Sequence, residues 1–201
     1  MSKKNHAKRG KFIVFYGINN LGKSTQAKLL VEKLNRSGHS TEYLKYPIYD
    51  LEPSGPMLND YLRKGNPHDF SAREIQMLYI LNRTQYQSKI ISKLDSGINV
   101  VAEDYIGTGL AWGIGSGVDR VLLTRMNNHL LPEDIVFLFQ GDRFLDAKEE
   151  NHAFETNDLL IDKVRLIHDE LGRNFGWVTI DANRQIEIIH EEIFEQVIPH
   201  V

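Results

Sequence analysis

An α/β fold, a five-stranded parallel sheet with helices on both faces, is predicted for this chain by three observations. Residues 12–16, Phe-Ile-Val-Phe-Tyr, form a continuous apolar run too short for a helix, as a strand covered on both sides requires. Further strand candidates at 41–44, 98–102, 135–139 and 177–180 are separated by stretches long enough to hold crossover helices. Between the first strand and the first helix lies a loop that opens at Gly17 and closes at Gly22.

The helix after that loop is expected over 23–36, where Ala27, Leu30 and Leu34 recur at spacings of three and four and Gly38 is placed to stop it. Mixed apolar and charged faces predict further helices near 56–64, 72–94, 107–128, 158–173 and 184–197. Residues 146–157 (DAKEENHAFETN) are polar and short of apolar anchors, so they read as an excursion between elements, a candidate lid. No internal repeat and no Pro/Gly/Ser-rich linker divides the chain. One domain over 12–201, preceded by a flexible basic arm over 1–11, is the expectation.

Composition narrows the function classes. The 201 residues are 41% hydrophobic and 25% charged, a globular balance. With 24 Lys+Arg against 27 Asp+Glu the net charge is −3, which gives no general basic field for polymeric nucleic acid. The absence of cysteine excludes disulfides, thiolate metal sites and cysteine nucleophiles, and fits the cytoplasm. No secretion signal and no run of about 18 apolar residues is found, so no membrane role is expected. The eight histidines form no H-E-x-x-H or similar cluster, so no metal site built from protein alone is expected.

The most specific local signal is Gly17-Ile-Asn-Asn-Leu-Gly22-Lys23-Ser24-Thr25, which fits G-x-x-x-x-G-K-[ST] between a buried strand and a helix. Glycines at both ends let the backbone turn its N–H groups around a phosphate, and the helix N-terminus adds donors and a positive dipole end. This assigns Gly17, Asn19, Asn20, Leu21, Gly22, Lys23, Ser24 and Thr25 to a nucleoside triphosphate. Lys23 is expected to reach the β and γ phosphates as a catalytic cation, and Ser24 to ligate Mg²⁺. The fold is therefore predicted to be the P-loop NTPase type with a short lid. Motors, switches and small kinases all use this loop; the chain length and Lys45-Tyr-Pro47 just after the second strand favour a small kinase.

Four stretches carry a resemblance that runs from about residue 12 to 197: GINNLGKSTQ (17–26), KYP (45–47) followed by GPMLNDYL (55–62), LYILNR (78–83) and EDYIGTGLAWG (103–113). With weaker matches in LPEDIVFLF (131–139) and WVTIDANR (177–184), the chain resembles the thymidylate kinases, nucleoside monophosphate kinases of the P-loop class. The resemblance implies transfer of the ATP γ-phosphoryl group to dTMP, with Mg²⁺ and a homodimer. It implies that Tyr79 stacks on the thymine and Arg83 binds its edge; four residues apart, both fit one helical face. It places Tyr105 against the sugar, Trp112 and Thr108 in the base site, Asn19 near the sugar hydroxyl, Lys45 near the acceptor phosphate, and Ala182 and Asn183 near the adenine pocket. The competing reading of Tyr79 and Trp112 is a packed core, and of Lys45 an exposed strand position.

Several positions depart from the family pattern. Asn19 stands where the family usually has an aspartate. Glu103-Asp104-Tyr105 replaces Asp-Arg-Tyr: Glu103 keeps a carboxylate for Mg²⁺, but Asp104 inverts the charge of a phosphate-contacting arginine. Ala153, in the predicted lid, stands where many relatives have an arginine. Joining two anionic phosphates demands fixed positive charge. Arg143 is the replacement carried forward as catalytic, with Lys148, Arg120, Arg125 and Arg165 as alternatives. The same departures suit two other readings: a deoxynucleoside kinase with Glu103 as general base toward a 5′-hydroxyl, or a nucleotide-binding homologue with little catalysis.

Overall fold

The computed structural model describes residues 8–144 and 158–201, so the predicted lid at 146–157, with Lys148 and Ala153, lies outside the described residues, as does most of the basic arm. The end of that arm is tied down. Gly10 donates its N–H to Leu94 O at 2.8 Å, Lys11 donates to Asn99 Oδ1 at 2.8 Å, and the Arg9 guanidinium pairs with Asp95 at 3.4 Å.

Five parallel strands run in the order β2-β3-β1-β4-β5. They are β1 (Phe12–Tyr16), β2 (Thr41–Lys45), β3 (Asn99–Glu103), β4 (Ile135–Gln140) and β5 (Val178–Asp181). β1 is central, and each of its five residues is fully buried. Phe12, Val14 and Tyr16 pack into one apolar layer with Ile90 and Leu94, while Ile13 and Phe15 pack into the other with Leu30, Phe137 and Ile193. Successive strand side chains point to opposite faces, so a strand with helices over both faces reads as an unbroken apolar run. Removing one of these aromatic rings, as in Phe15→Ala, costs about 3–5 kcal/mol.

The helices are α1 (Lys23–Arg36), α2 (Ser54–Arg63), α3 (Ala72–Asp95), α4 (Ile106–Gly115), α5 (Arg120–Asn127), α6 (Asp158–Phe175) and α7 (Ile186–Val197). The single helix expected over 107–128 is a correction: it is two helices. Gly117 takes φ +86°, which ends α4, and the Asp119 side chain accepts from Leu122 N at 2.8 Å to start α5. The apolar spacing continues through Val118, Leu122 and Leu123, which hides the break from a periodicity reading.

Parallel register aligns the carboxyl ends of the strands. Lys45 pairs with Glu103 across β2 and β3, and Phe15 pairs with Glu103 across β1 and β3. In an open parallel sheet ligands bind beyond these ends. That is where the chain opens.

Candidate active site

A cavity of about 550 Å³ lies over the carboxyl ends of β1, β2 and β3. One end of it is the loop between β1 and α1. There Asn20 takes φ 64° and Gly22 φ 77°, a left-handed pair that curls the backbone before the helix begins. The α1 N-terminus has no side-chain cap and no acidic residue in its own first turn, so no side chain of α1 offsets its positive dipole end beside the cavity. Lys23 is buried and folds back on the loop, donating to Gly17 O at 2.9 Å and Ile18 O at 2.8 Å, with Asp104 Oδ1 at 3.7 Å. Those carbonyls hold the ammonium ready beside the space a phosphate would fill.

Glu103 is 1% exposed and closes this end from the sheet side. Its Oε2 accepts from Ser24 Oγ at 2.8 Å and lies 3.9 Å from Lys45 Nζ, and its Oε1 accepts from Tyr43 OH. Burial, followed by this carboxylate, pushes the Tyr43 hydroxyl well above its ordinary value. Ser24 Oγ and Glu103 Oε2 are hard oxygen donors set side by side at the phosphate end, which fits Mg²⁺. That ion usually keeps several waters and takes only one or two protein ligands beside the phosphates. No cluster of three His, Asp or Glu is found among the described residues.

The other end is made by α3 and α4. Arg83 is 3% exposed, and its Nη1 donates to Asn127 Oδ1 at 2.7 Å. Its guanidinium lies flat against Gly109, where any Cβ would overlap it. Burial lowers its pKa, yet arginine keeps its proton in proteins, so a cation is held in the wall of the cavity. Tyr79, one turn earlier and partly buried, shares that wall; burial raises its hydroxyl well above the ordinary range. Tyr105 packs edge-on against Phe12 at 5.0 Å and tilted against Tyr46 at 5.3 Å, which fixes its ring. Thr108 Oγ1 donates to Asp104 Oδ1 at 3.1 Å. Trp112 belongs to the apolar core and also borders the cavity.

The cavity thus brings together Asn19, Asn20, Leu21, Gly22, Lys23, Ser24 and Thr25 with Lys45, Tyr79, Arg83, Glu103, Tyr105, Thr108 and Trp112. Gly17, Arg143, Ala182 and Asn183 are not among its lining residues. Gly17 acts through its carbonyl on Lys23. Arg143 pairs with Asp158 at 3.7 Å, whereas its neighbour Phe144 borders the cavity and donates its N–H to Asn20 O at 2.9 Å. Asn183 accepts from Asp142 N at 2.6 Å and donates to Asp142 O at 3.0 Å, and Ala182 N donates to Gln140 O at 2.8 Å, so this pair holds the segment that delivers Phe144.

Sequence reasoning missed Tyr49, Arg63, Gln76 and Asn82, all of which border the cavity. Asn82 is fully buried and clamps the loop after β2: its Oδ1 accepts from Ile48 N at 2.8 Å, and its Nδ2 donates to Ile48 O and Ser54 Oγ, each at 2.9 Å. An asparagine directly before Arg83 in a helical run was the available signal.

The thymidylate kinase family profile matches residues 15–193. This chain belongs to the thymidylate kinase family. It is 31% identical to the thymidylate kinase of Plasmodium falciparum over 94% of its own length and 90% of that protein's. It is 30% identical to the thymidylate kinase of Homo sapiens, covering 93% of this chain and 89% of the other. The solved structure of thymidylate kinase from Candida albicans superposes with a TM-score of 0.77 at 21% identity, covering 95% of this chain and 92% of that one, which shows that the fold is shared. Membership decides among motor, switch and small kinase: the chain is a nucleoside monophosphate kinase.

Proposed function

We propose that the protein transfers the γ-phosphoryl group of ATP to the 5′-phosphate of dTMP, with Mg²⁺. The observation that carries this reading is that one cavity joins an uncapped helix N-terminus, preceded by the glycine-bounded loop, to a wall bearing Tyr79 and Arg83. The N–H groups of the loop and Lys23 hold the triphosphate tail, and the guanidinium of Arg83 addresses a base lying along Tyr79. Ser24 and Glu103 are the residues to hold Mg²⁺, which when bound neutralises charge on the donor phosphates.

The acceptor phosphate is already ionised, so no strong general base is needed. Glu103, committed to Ser24, Tyr43 and Lys45, suits holding a cation better than taking a proton. The rate then comes from alignment and fixed positive charge. The family likeness supports a homodimer, and Met77 and Leu81, one turn apart and exposed on α3, are in keeping with a covered helix face. A cytoplasmic location belongs to the same proposal; no described helix is long and apolar enough to cross a membrane.

A coupled assay of ADP release with dTMP, dUMP, thymidine or no acceptor tests the reading. Turnover with dTMP is expected. Turnover with thymidine and not dTMP would assign a hydroxyl acceptor and make Glu103 the base, and ATP binding without turnover on any acceptor would leave a binding protein.

A further inference from the structure

We infer that Tyr43, which is not among the residues lining the cavity, is a positioning residue that aims the Glu103 carboxylate at the metal. The inference deepens the proposed function and rests on its reading of Ser24 and Glu103 as the residues that hold Mg²⁺. Parallel register sets Tyr43 opposite Val101 and Lys45 opposite Glu103 across β2 and β3. Alternate residues of a strand share a face, so these four side chains lie on one side of the sheet. Val101 packs there with Leu30 and Leu34 of α1, and the half-buried Tyr43 packs against the same cluster. Lys28 of α1 reaches over the Tyr43 ring, 5.8 Å from its centroid. The ring is therefore held between sheet and helix, with its hydroxyl on Glu103.

The two oxygens of Glu103 are divided between two donors. Oε1 accepts from Tyr43 OH, while Oε2 accepts from Ser24 Oγ at 2.8 Å and lies 3.9 Å from Lys45 Nζ. The terminal torsion of a glutamate is broad, so the plane of its carboxylate is set by what it bonds to. Tethering Oε1 on the β2 side leaves Oε2 turned to Ser24, at the phosphate end. Carboxylates that bind metals are oriented by outer hydrogen bonds of this kind, and losing one typically costs about 10- to 100-fold in metal affinity or activity. Glu103 is one methylene longer than the aspartate that the family resemblance implies. That methylene is the arm that brings Oε1 to the phenol, so Tyr43 and Glu103 act as a pair.

Two binding measurements on the wild type, Tyr43→Phe, Glu103→Asp, Glu103→Gln and the Tyr43→Phe/Glu103→Asp double variant test the inference, alongside wild-type turnover of dTMP. One is calorimetric titration of a non-hydrolysable ATP analogue in EDTA; the other is Mn²⁺ binding to the protein–analogue complex, read by electron paramagnetic resonance. Tyr43→Phe is expected to weaken Mn²⁺ about 10-fold and to leave the analogue in EDTA within about twofold. In the Glu103→Asp background the same change should alter Mn²⁺ affinity less than about twofold, because the shorter carboxylate no longer meets the phenol. Unchanged Mn²⁺ affinity in Tyr43→Phe, an analogue weakened in parallel without metal, or a full effect that persists in Glu103→Asp overturns the role. A Glu103→Gln protein that binds Mn²⁺ as the wild type does overturns the metal reading and the inference with it. The expected pattern in a wild type that does not turn over dTMP would contradict the acceptor assignment alone and keep Tyr43 in its role.

Discussion

One end of the cavity is lined by the loop and helix start between Asn19 and Thr25, Lys23 among them; the other is lined by side chains of α3 and of the start of α4, chiefly Tyr79, Arg83 and Tyr105, the residue just before α4. The helix termini differ in the same sense. The N-terminus of α1 is uncapped and opens on the cavity, whereas that of α3 is sealed by its own residues. Ser71 Oγ accepts from Glu74 N at 3.3 Å, and Glu74 Oε2 accepts from Ser71 N at 2.8 Å. A backbone cradle recognises what every nucleoside triphosphate shares, its phosphates. A side-chain wall selects the one base it fits. The open terminus is left for a ligand, and the sealed one contributes stability.

The contrast makes distinct demands on mutants. Lys23→Ala should have the largest effect, a loss of kcat of at least about 10³-fold with the fold intact, since it removes fixed charge from the transferring phosphoryl group; steady-state kinetics with circular dichroism checks both parts. Glu103→Gln keeps the shape and removes the charge facing Ser24, and should cost about 10²-fold in kcat. Added Mg²⁺ should recover part of that loss. Arg83→Ala should lower kcat/KM for dTMP about 10- to 100-fold while the KM for ATP moves less than about threefold, because its contacts lie in the base wall. Equal effects on both substrates would erase the distinction between the two ends.

Smaller effects fall on stability. His168, on α6 and 1% exposed, has its pKa lowered from 6.5 to about 3, mainly by burial and then by the charge of Lys23. Between those values the unfolded chain holds a proton that the folded chain refuses, so this group makes stability fall as pH drops through that window. In His168→Gln the slope of stability against pH below 6.5 should flatten by close to one proton, measured by urea unfolding across pH. Ser71→Ala should cost only about 1 kcal/mol and leave the kinetics unchanged, which a urea midpoint and an assay together would show.

The phosphate end was legible in the sequence because its parts are consecutive: a five-residue apolar strand, a spaced glycine pair, a lysine and a hydroxyl. The rest needs the fold. Arg83 meets Asn127 from 44 residues away, and its flat seat depends on Gly109 lacking a side chain, so the base wall could be read only through the family resemblance. Arg63 closes an ordinary amphipathic helix, and nothing local marks it until Tyr49 is found beneath it. The break between α4 and α5 escaped because apolar spacing persists across Gly117. Local patterns report contacts within a few residues, and a site assembled from four helices, two strand ends and the loops between them is mostly contacts of long range.

The most direct test of the central claim, one cavity with a phosphate end and a base end, is a crystal structure with a non-hydrolysable ATP analogue, Mg²⁺ and dTMP bound together. The expected result is the β-phosphate ringed by the amides of 19–25, Ser24 Oγ at the metal, and the thymine along Tyr79 with its edge on Arg83. A triphosphate bound elsewhere, with Lys23 still on the carbonyls of Gly17 and Ile18, would contradict it.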